Sequence, residues 1–184
     1  WTNIQIQKGL NECPLLLPYI SQQWLDALNL TMPQNMDEFY ATMVEFRDKD
    51  PNGNGLADEI PIAAVNNISD ILSVVSLWHG FNLDTNTMTF LDGNTIKFVP
   101  TMDEFKTVIS IVAKWYNEKL IDPDIFTLDN SQIIAKGSTA TRIYGTQFCS
   151  GATYWGSDYY SEYKLLPLYQ VDTSKPLIWS GRQY

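Results

Sequence analysis

Asp50-Pro-Asn-Gly-Asn-Gly-Leu-Ala-Asp-Glu59 places five oxygen-bearing side chains in ten residues, between a segment patterned as a helix and one patterned as a strand. Upstream, Asn35 stands three residues ahead of Glu38, as a capping box requires, and Phe39, Met43 and Phe46 follow at helical spacing. That helix should end near Arg47–Lys49, where basic side chains suit the carboxyl end of the dipole. Downstream, Pro61 and the apolar run through Val65 read as an extended strand.

A hard divalent cation wants six to eight oxygens, and a curled loop supplies them from alternate residues. Counting Asp50 as position 1, Asn52, Asn54, the Leu56 carbonyl and Asp58 fall at positions 3, 5, 7 and 9, and Gly55 falls at the sharp-turn position 6. The bidentate glutamate of a full EF-hand loop is missing, because Pro61 holds position 12, and Glu59 is the available replacement. Asp50, Asp58 and Glu59 would repel one another without a cation. The expected metal is Ca²⁺ on Asp50, Asn52, Asn54, Leu56, Asp58 and Glu59; the competing reading is a solvated Asn/Gly/Asp turn. A regulatory sensor is disfavoured, since one loop without an exiting helix has no helix pair to open.

Around the loop, helices and short strands alternate. Strand-like segments are Ile4–Ile6 and Leu15–Ile20, followed by a helix capped by Ser21 with Trp24, Leu25 and Leu28 on one face. Ser69 or Asp70 is expected to open a helix with Ile71, Leu72, Val75 and Trp78 along its stripe, ending at Gly80. Met88–Leu91 and Ile96–Val99 flank the turn Asp92-Gly-Asn94 as a hairpin. Thr101-Met-Asp-Glu104 repeats the capping-box spacing ahead of a helix carrying Phe105, Val108, Ile109, Val112, Trp115 and Tyr116. Beyond Leu120 the pattern is less regular: Pro123 and Gly137 are breakers, Arg142–Gly145 reads as a short strand, and Leu165–Tyr169 and Leu177–Trp179 as edge segments. An α/β lobe with helices layered on a small sheet follows.

The 12 basic and 21 acidic residues give a net charge of −9, with no basic cluster, which argues against nucleic acid and anionic membrane as partners. Cys13 and Cys149 fit neither a zinc motif nor a disulfide scaffold, and whether they pair is open. No apolar run is long enough to span a bilayer. The start at Trp1, without Met or leader, leads us to expect a piece excised from a longer chain, residues 1–184 forming a single lobe.

The runs Gln23-Trp-Leu-Asp-Ala-Leu-Asn-Leu30, Asp37-Glu-Phe39, Asp50-Pro-Asn-Gly-Asn-Gly-Leu-Ala-Asp-Glu-Ile-Pro61 and Trp115-Tyr-Asn-Glu-Lys-Leu-Ile-Asp-Pro-Asp124, with Pro33 between the first two, carry a resemblance. The chain resembles the extracellular solute-binding proteins (family 1) of bacterial ABC importers, in their large lipoprotein branch, over roughly residues 15–130. The resemblance implies one lobe of a bilobal, periplasmic-binding-protein-like fold of type II, with an EF-hand-like calcium loop. It also implies capture of a carbohydrate or related solute by lobe closure, delivery to an ABC permease, and a cell-surface lipoprotein whose lipid anchor lies outside this chain.

Flat aromatic faces beside polar groups are what a sugar site needs, and Trp78-His79 and Tyr154-Trp155 with Asp158 offer them. Each has a plainer reading, Trp78 above all, because it continues an apolar stripe. His79 is the only histidine, so no histidine metal centre can form. The sequons at Asn29 and Asn67 are most simply chance. Two other functional classes compete: a structural or protein-interaction domain, and a glycan hydrolase using Asp122, Asp124 or Asp158. No nucleophile elbow, phosphate-binding glycine loop or zinc signature supports an enzyme.

Overall fold

A computed structural model describes residues 16–149, 159–171 and 173. Their elements in order are β1 Leu17–Ser21, α1 Gln22–Ala27, α2 Met36–Asp48, β2 Ile60–Ala64, α3 Ile68–Trp78, β3 Thr89–Asp92 and β4 Thr95–Phe98. A 3₁₀ turn at Val99–Thr101 leads into α4 Asp103–Asn117, followed by α5 Asn130–Gly137, β5 Tyr144–Cys149, α6 Tyr159–Glu162 and β6 Tyr163–Leu165. The segments expected at Ile4–Ile6 and Leu177–Trp179 lie outside the described residues, as do Cys13, Tyr154, Trp155 and Asp158.

The helix starts follow side-chain capping where a partner is in reach. Ser21 Oγ accepts from Trp24 N–H at 3.3 Å, and Asn35 Oδ1 accepts from Glu38 N–H at 2.9 Å. Glu38 turns back to Gln34 N–H (2.8 Å) rather than to Asn35 N–H, so the expected box closes one residue early. Helix α3 starts at Ile68 rather than at Ser69 or Asp70. Asn67, at φ 60°, takes the capping position and accepts from Ser69 N–H at 3.0 Å. The Thr101 box does not form, because the 3₁₀ turn around Pro100 commits the Thr101 hydroxyl to Phe98 O (2.7 Å) and leaves α4 without a side-chain cap.

Four strands form one mixed sheet in the order β2-β5-β1-β6. Strands β2 and β5 are parallel, from Ile60 opposite Tyr144 to Ala64 opposite Phe148, while β1 runs antiparallel to both β5 and β6. Beyond β2, Ile121 adds a parallel bridge to Ile62. Along β2 the side chains alternate between two clusters, Ile62 and Ala64 in one, Ala63 and Val65 in the other, so the sheet is buried on both faces.

On one face α1 to α4 bring Trp24, Phe39, Met43, Phe46, Val75, Trp78, Val108 and Trp115 onto Phe148. On the other, Ile133 of α5 covers Ala63, Val65, Tyr144 and Cys149 together with Tyr163. The buried stripe of α4 is Phe105, Val108, Val112 and Trp115; Ile109, 42 % exposed, falls off it, contrary to the pattern read from sequence. Hairpin β3–β4 is a separate two-stranded sheet, with Gly93 at φ 58° in its turn.

Candidate functional site

The segment from Asp50 to Glu59 joins the end of α2 to the start of β2, and its curl comes from side chains closing on the backbone. The Asp50 carboxylate accepts from Asn54 N–H (3.1 Å) and Gly55 N–H (2.9 Å). Asn52 Oδ1 accepts from Asn54 N–H (3.0 Å), and Asn54 Oδ1 from Leu56 N–H (2.7 Å). Gly53 and Gly55 take φ 70° and 74°, where a Cβ is disfavoured. Both asparagine Nδ2 groups donate to Asp58, at 3.1 Å each.

Glu59 closes the loop with a buried Oε1 that has no hydrogen-bond partner among the described residues. Burial pushes its carboxyl up from the ordinary glutamate range, and the nearby charges of Asp58 and Asp50 push it further in the same direction. The donor set is thus oxygen-rich, anionic and short of positive charge, which fits a hard cation. Among the described residues, however, no three His, Cys, Asp or Glu side chains are gathered into a metal cluster. The EF-hand-like calcium loop expected from sequence is therefore not found ready-made. Two of the five side chains are amides, and their N–H groups already give Asp58 part of the charge compensation that a cation would supply.

Of the expected solute contacts, two lie within the described residues. Trp78 is 1 % exposed and packed between Phe39 (5.4 Å between ring centroids) and Tyr169 (4.6 Å), so its ring is part of the main core. Its indole N–H has no hydrogen-bond partner among the described residues. His79, half-buried, follows it as the C-cap of α3. Tyr154, Trp155 and Asp158 belong to the segment after β5, outside the described residues.

Of the carboxylates considered for hydrolysis, Asp122 and Asp124 are joined in one network, and Asp158 lies outside the described residues. Asp122, 2 % exposed, accepts from Lys136 Nζ (2.8 Å), the Tyr144 hydroxyl (3.0 Å) and Asp124 N–H (3.0 Å), and Lys136 also reaches Asp124 (3.0 Å). Burial pulls the Lys136 ammonium down, but its bonds to Asp122 and Asp124 outweigh this and leave it raised. Burial, then the Asp122 charge, keeps Tyr144 protonated far above its ordinary range. This network pins α5 to the sheet and leaves Asp122 no free face. In sequence Asp122 reads as a candidate acid, while Lys136 and Tyr144 give no sign of their role beyond the place of Lys136 on α5.

No family model matches the chain. The fructooligosaccharide ABC transporter substrate-binding protein FusA of Streptococcus pneumoniae is 30 % identical over 123 residues, which are 66 % of this chain and 23 % of that protein. Its structure in complex with kestose superposes with a TM-score of 0.73 at 26 % identity, covering 86 % of this chain and 32 % of FusA.

This chain is most of one lobe of a bacterial extracellular ABC-transporter solute-binding protein.

Further relatives of the lobe agree. Lipoprotein LipO of Bacillus subtilis is 29 % identical over 120 residues, covering 61 % of this chain and 22 % of LipO. An HMO-binding, ABC-transporter-associated solute-binding protein from Bifidobacterium longum infantis superposes with a TM-score of 0.78 at 25 % identity, over 91 % of this chain and 36 % of its own. A second FusA structure, with fructo-nystose, is of an EF-hand mutant (TM-score 0.71, 24 % identity, 86 % of this chain and 32 % of FusA). The lobe spans less than a quarter of the curated relatives it matches. The family is one of non-catalytic transport proteins.

Proposed function

We propose that the lobe belongs to a receptor that captures an oligosaccharide or related small solute between two lobes and hands it, unchanged, to an ABC permease. Residues 1–184 are taken as one lobe of that longer chain, held at the cell surface by a lipid anchor outside it. The observation that carries this is the joint sequence and structural kinship with FusA, whose solved complex contains kestose. His79, with Trp78 behind it, and Tyr154, Trp155 and Asp158 are the proposed solute contacts.

The same proposal assigns Ca²⁺ to Asp50, Asn52, Asn54, the Leu56 carbonyl, Asp58 and Glu59. The buried Glu59 Oε1, without a hydrogen-bond partner among the described residues, supports it, because a carboxylate oxygen without a donor is costly unless a cation meets it. Bound there, the ion would supply charge neutralisation and rigidity to the passage from α2 to β2, and no chemistry. Asp50, held by two backbone N–H groups, and the two asparagines orient the loop's oxygens.

Thermal melting tests the metal: calcium at 100 times its Kd would add about 2.7 kcal/mol over the chelated protein, or roughly 5–10 °C in Tm. The shift should vanish in Asp50→Ala, and no shift in the unmodified protein contradicts the site. For the solute, the longer protein is titrated with an oligosaccharide panel and followed by tryptophan fluorescence. Saturable binding of at least one member is expected; binding of none would remove the carbohydrate assignment.

A further inference from the structure

The hairpin Thr89–Phe98 has two unlike faces. Phe90 packs edge-on to Phe81 at 5.9 Å, and Val99, fully buried, donates its N–H to Met88 O (2.9 Å), so one face and the base are fixed to the lobe. The other face carries Leu91 and Ile96 directly across from each other, with Phe98 two residues along the same strand. These three are 49, 73 and 55 % exposed. Every residue of β4 is exposed, and a two-stranded hairpin needs packing to be stable.

We infer that the Leu91/Ile96/Phe98 face is an interface with the part of the same protein that lies outside this lobe. Two observations select that occupant. This lobe spans only 32 % of FusA, so about two thirds of such a chain is available to cover it. The second is size. Three large side chains exposed by half to three quarters offer on the order of a few hundred Å² of accessible surface, against roughly 800 Å² per partner in a stable complex. A patch this small does not hold a second copy or a separate protein, but a tethered partner acts at high effective concentration and needs far less area. The inference rests on family membership alone, so a failed calcium or sugar experiment leaves it standing.

The test is thiol labelling of the full-length protein without permease, comparing Ile96→Cys with Phe126→Cys in a cysteine-free background, Phe126 being 62 % exposed on the lobe. Ile96→Cys should react at least tenfold more slowly, independent of protein concentration. Equal rates would overturn the inference, and so would protection that disappears on dilution, which would mark a second copy. Should the Cys variant not fold, Leu91→Lys and Ile96→Lys decide by thermal melting: a fall of several degrees is expected for a covered face, and an unchanged Tm overturns it.

Discussion

A Cβ added to Gly145 would stand 2.5 Å from Phe46 Cδ2 and 2.8 Å from Trp24 Cζ3. Both neighbours are fully enclosed core rings, themselves in edge-to-face contact at 5.1 Å, so neither can retreat. Gly145→Ala should therefore cost about 1–3 kcal/mol by overpacking, read as a lower urea midpoint with unchanged slope. A buried carboxylate makes a second test. Burial pushes Asp70 up, against the lowering pull of the backbone and side-chain N–H groups of Asn66. The folded protein thus holds the proton more tightly than the unfolded chain. Its contribution is fully present below the ordinary value of 3.8 and is lost as pH rises through the higher folded value. Asp70→Asn removes that titration, so the Tm of the unmodified protein should fall relative to the variant as pH is raised from acid toward neutral. Parallel curves would contradict the assignment. Neither residue announced itself in sequence, because both effects come from what the fold packs around them.

At the scale of elements, period decides what can be read. Helix α2 and the hairpin were legible because each keeps one periodicity between clear turn residues, and β2 because Pro61 opens a short, unbroken apolar run after the Asn/Gly/Asp loop. Strand β5 was read only as far as Gly145, because all six of its residues are buried and no alternation marks it. Helix α5 went unread, as Gly137 looked like a breaker, although Asp129 and Gln132 form a complete capping box at its start. The oxygen spacing of the Asp50–Glu59 loop was equally legible, but the turning of its amide N–H groups toward Asp58 was not, since side-chain orientation is a property of the folded loop. Helix α5 is held down by Lys136. Lys136→Ala leaves Asp122 buried with its charge unmatched, which costs 3–5 kcal/mol in a sealed site and about 2–3 kcal/mol here, since water reaches the lysine. Chemical denaturation should show that loss, and a change under about 0.5 kcal/mol would mean that Tyr144 and the backbone hold Asp122 alone.

For the whole molecule, the mixed sheet is buried on both faces, which suits the part proposed for it, a lobe that moves as one packed unit. Charge fits that role: a net charge of −9 with no basic cluster points away from polyanions and toward neutral or cationic partners. The Asp50–Glu59 loop and the aromatic pairs serve one proposal, in which a second lobe closes over a bound sugar and nothing is cleaved. A donor and acceptor dye, one on each lobe of the longer protein, read that directly. The inter-lobe distance should shorten saturably as the oligosaccharide that the protein binds from the panel is added, with the sugar recovered intact. Lobes that stay at one distance while the sugar binds, or a sugar returned as shorter products, would contradict it.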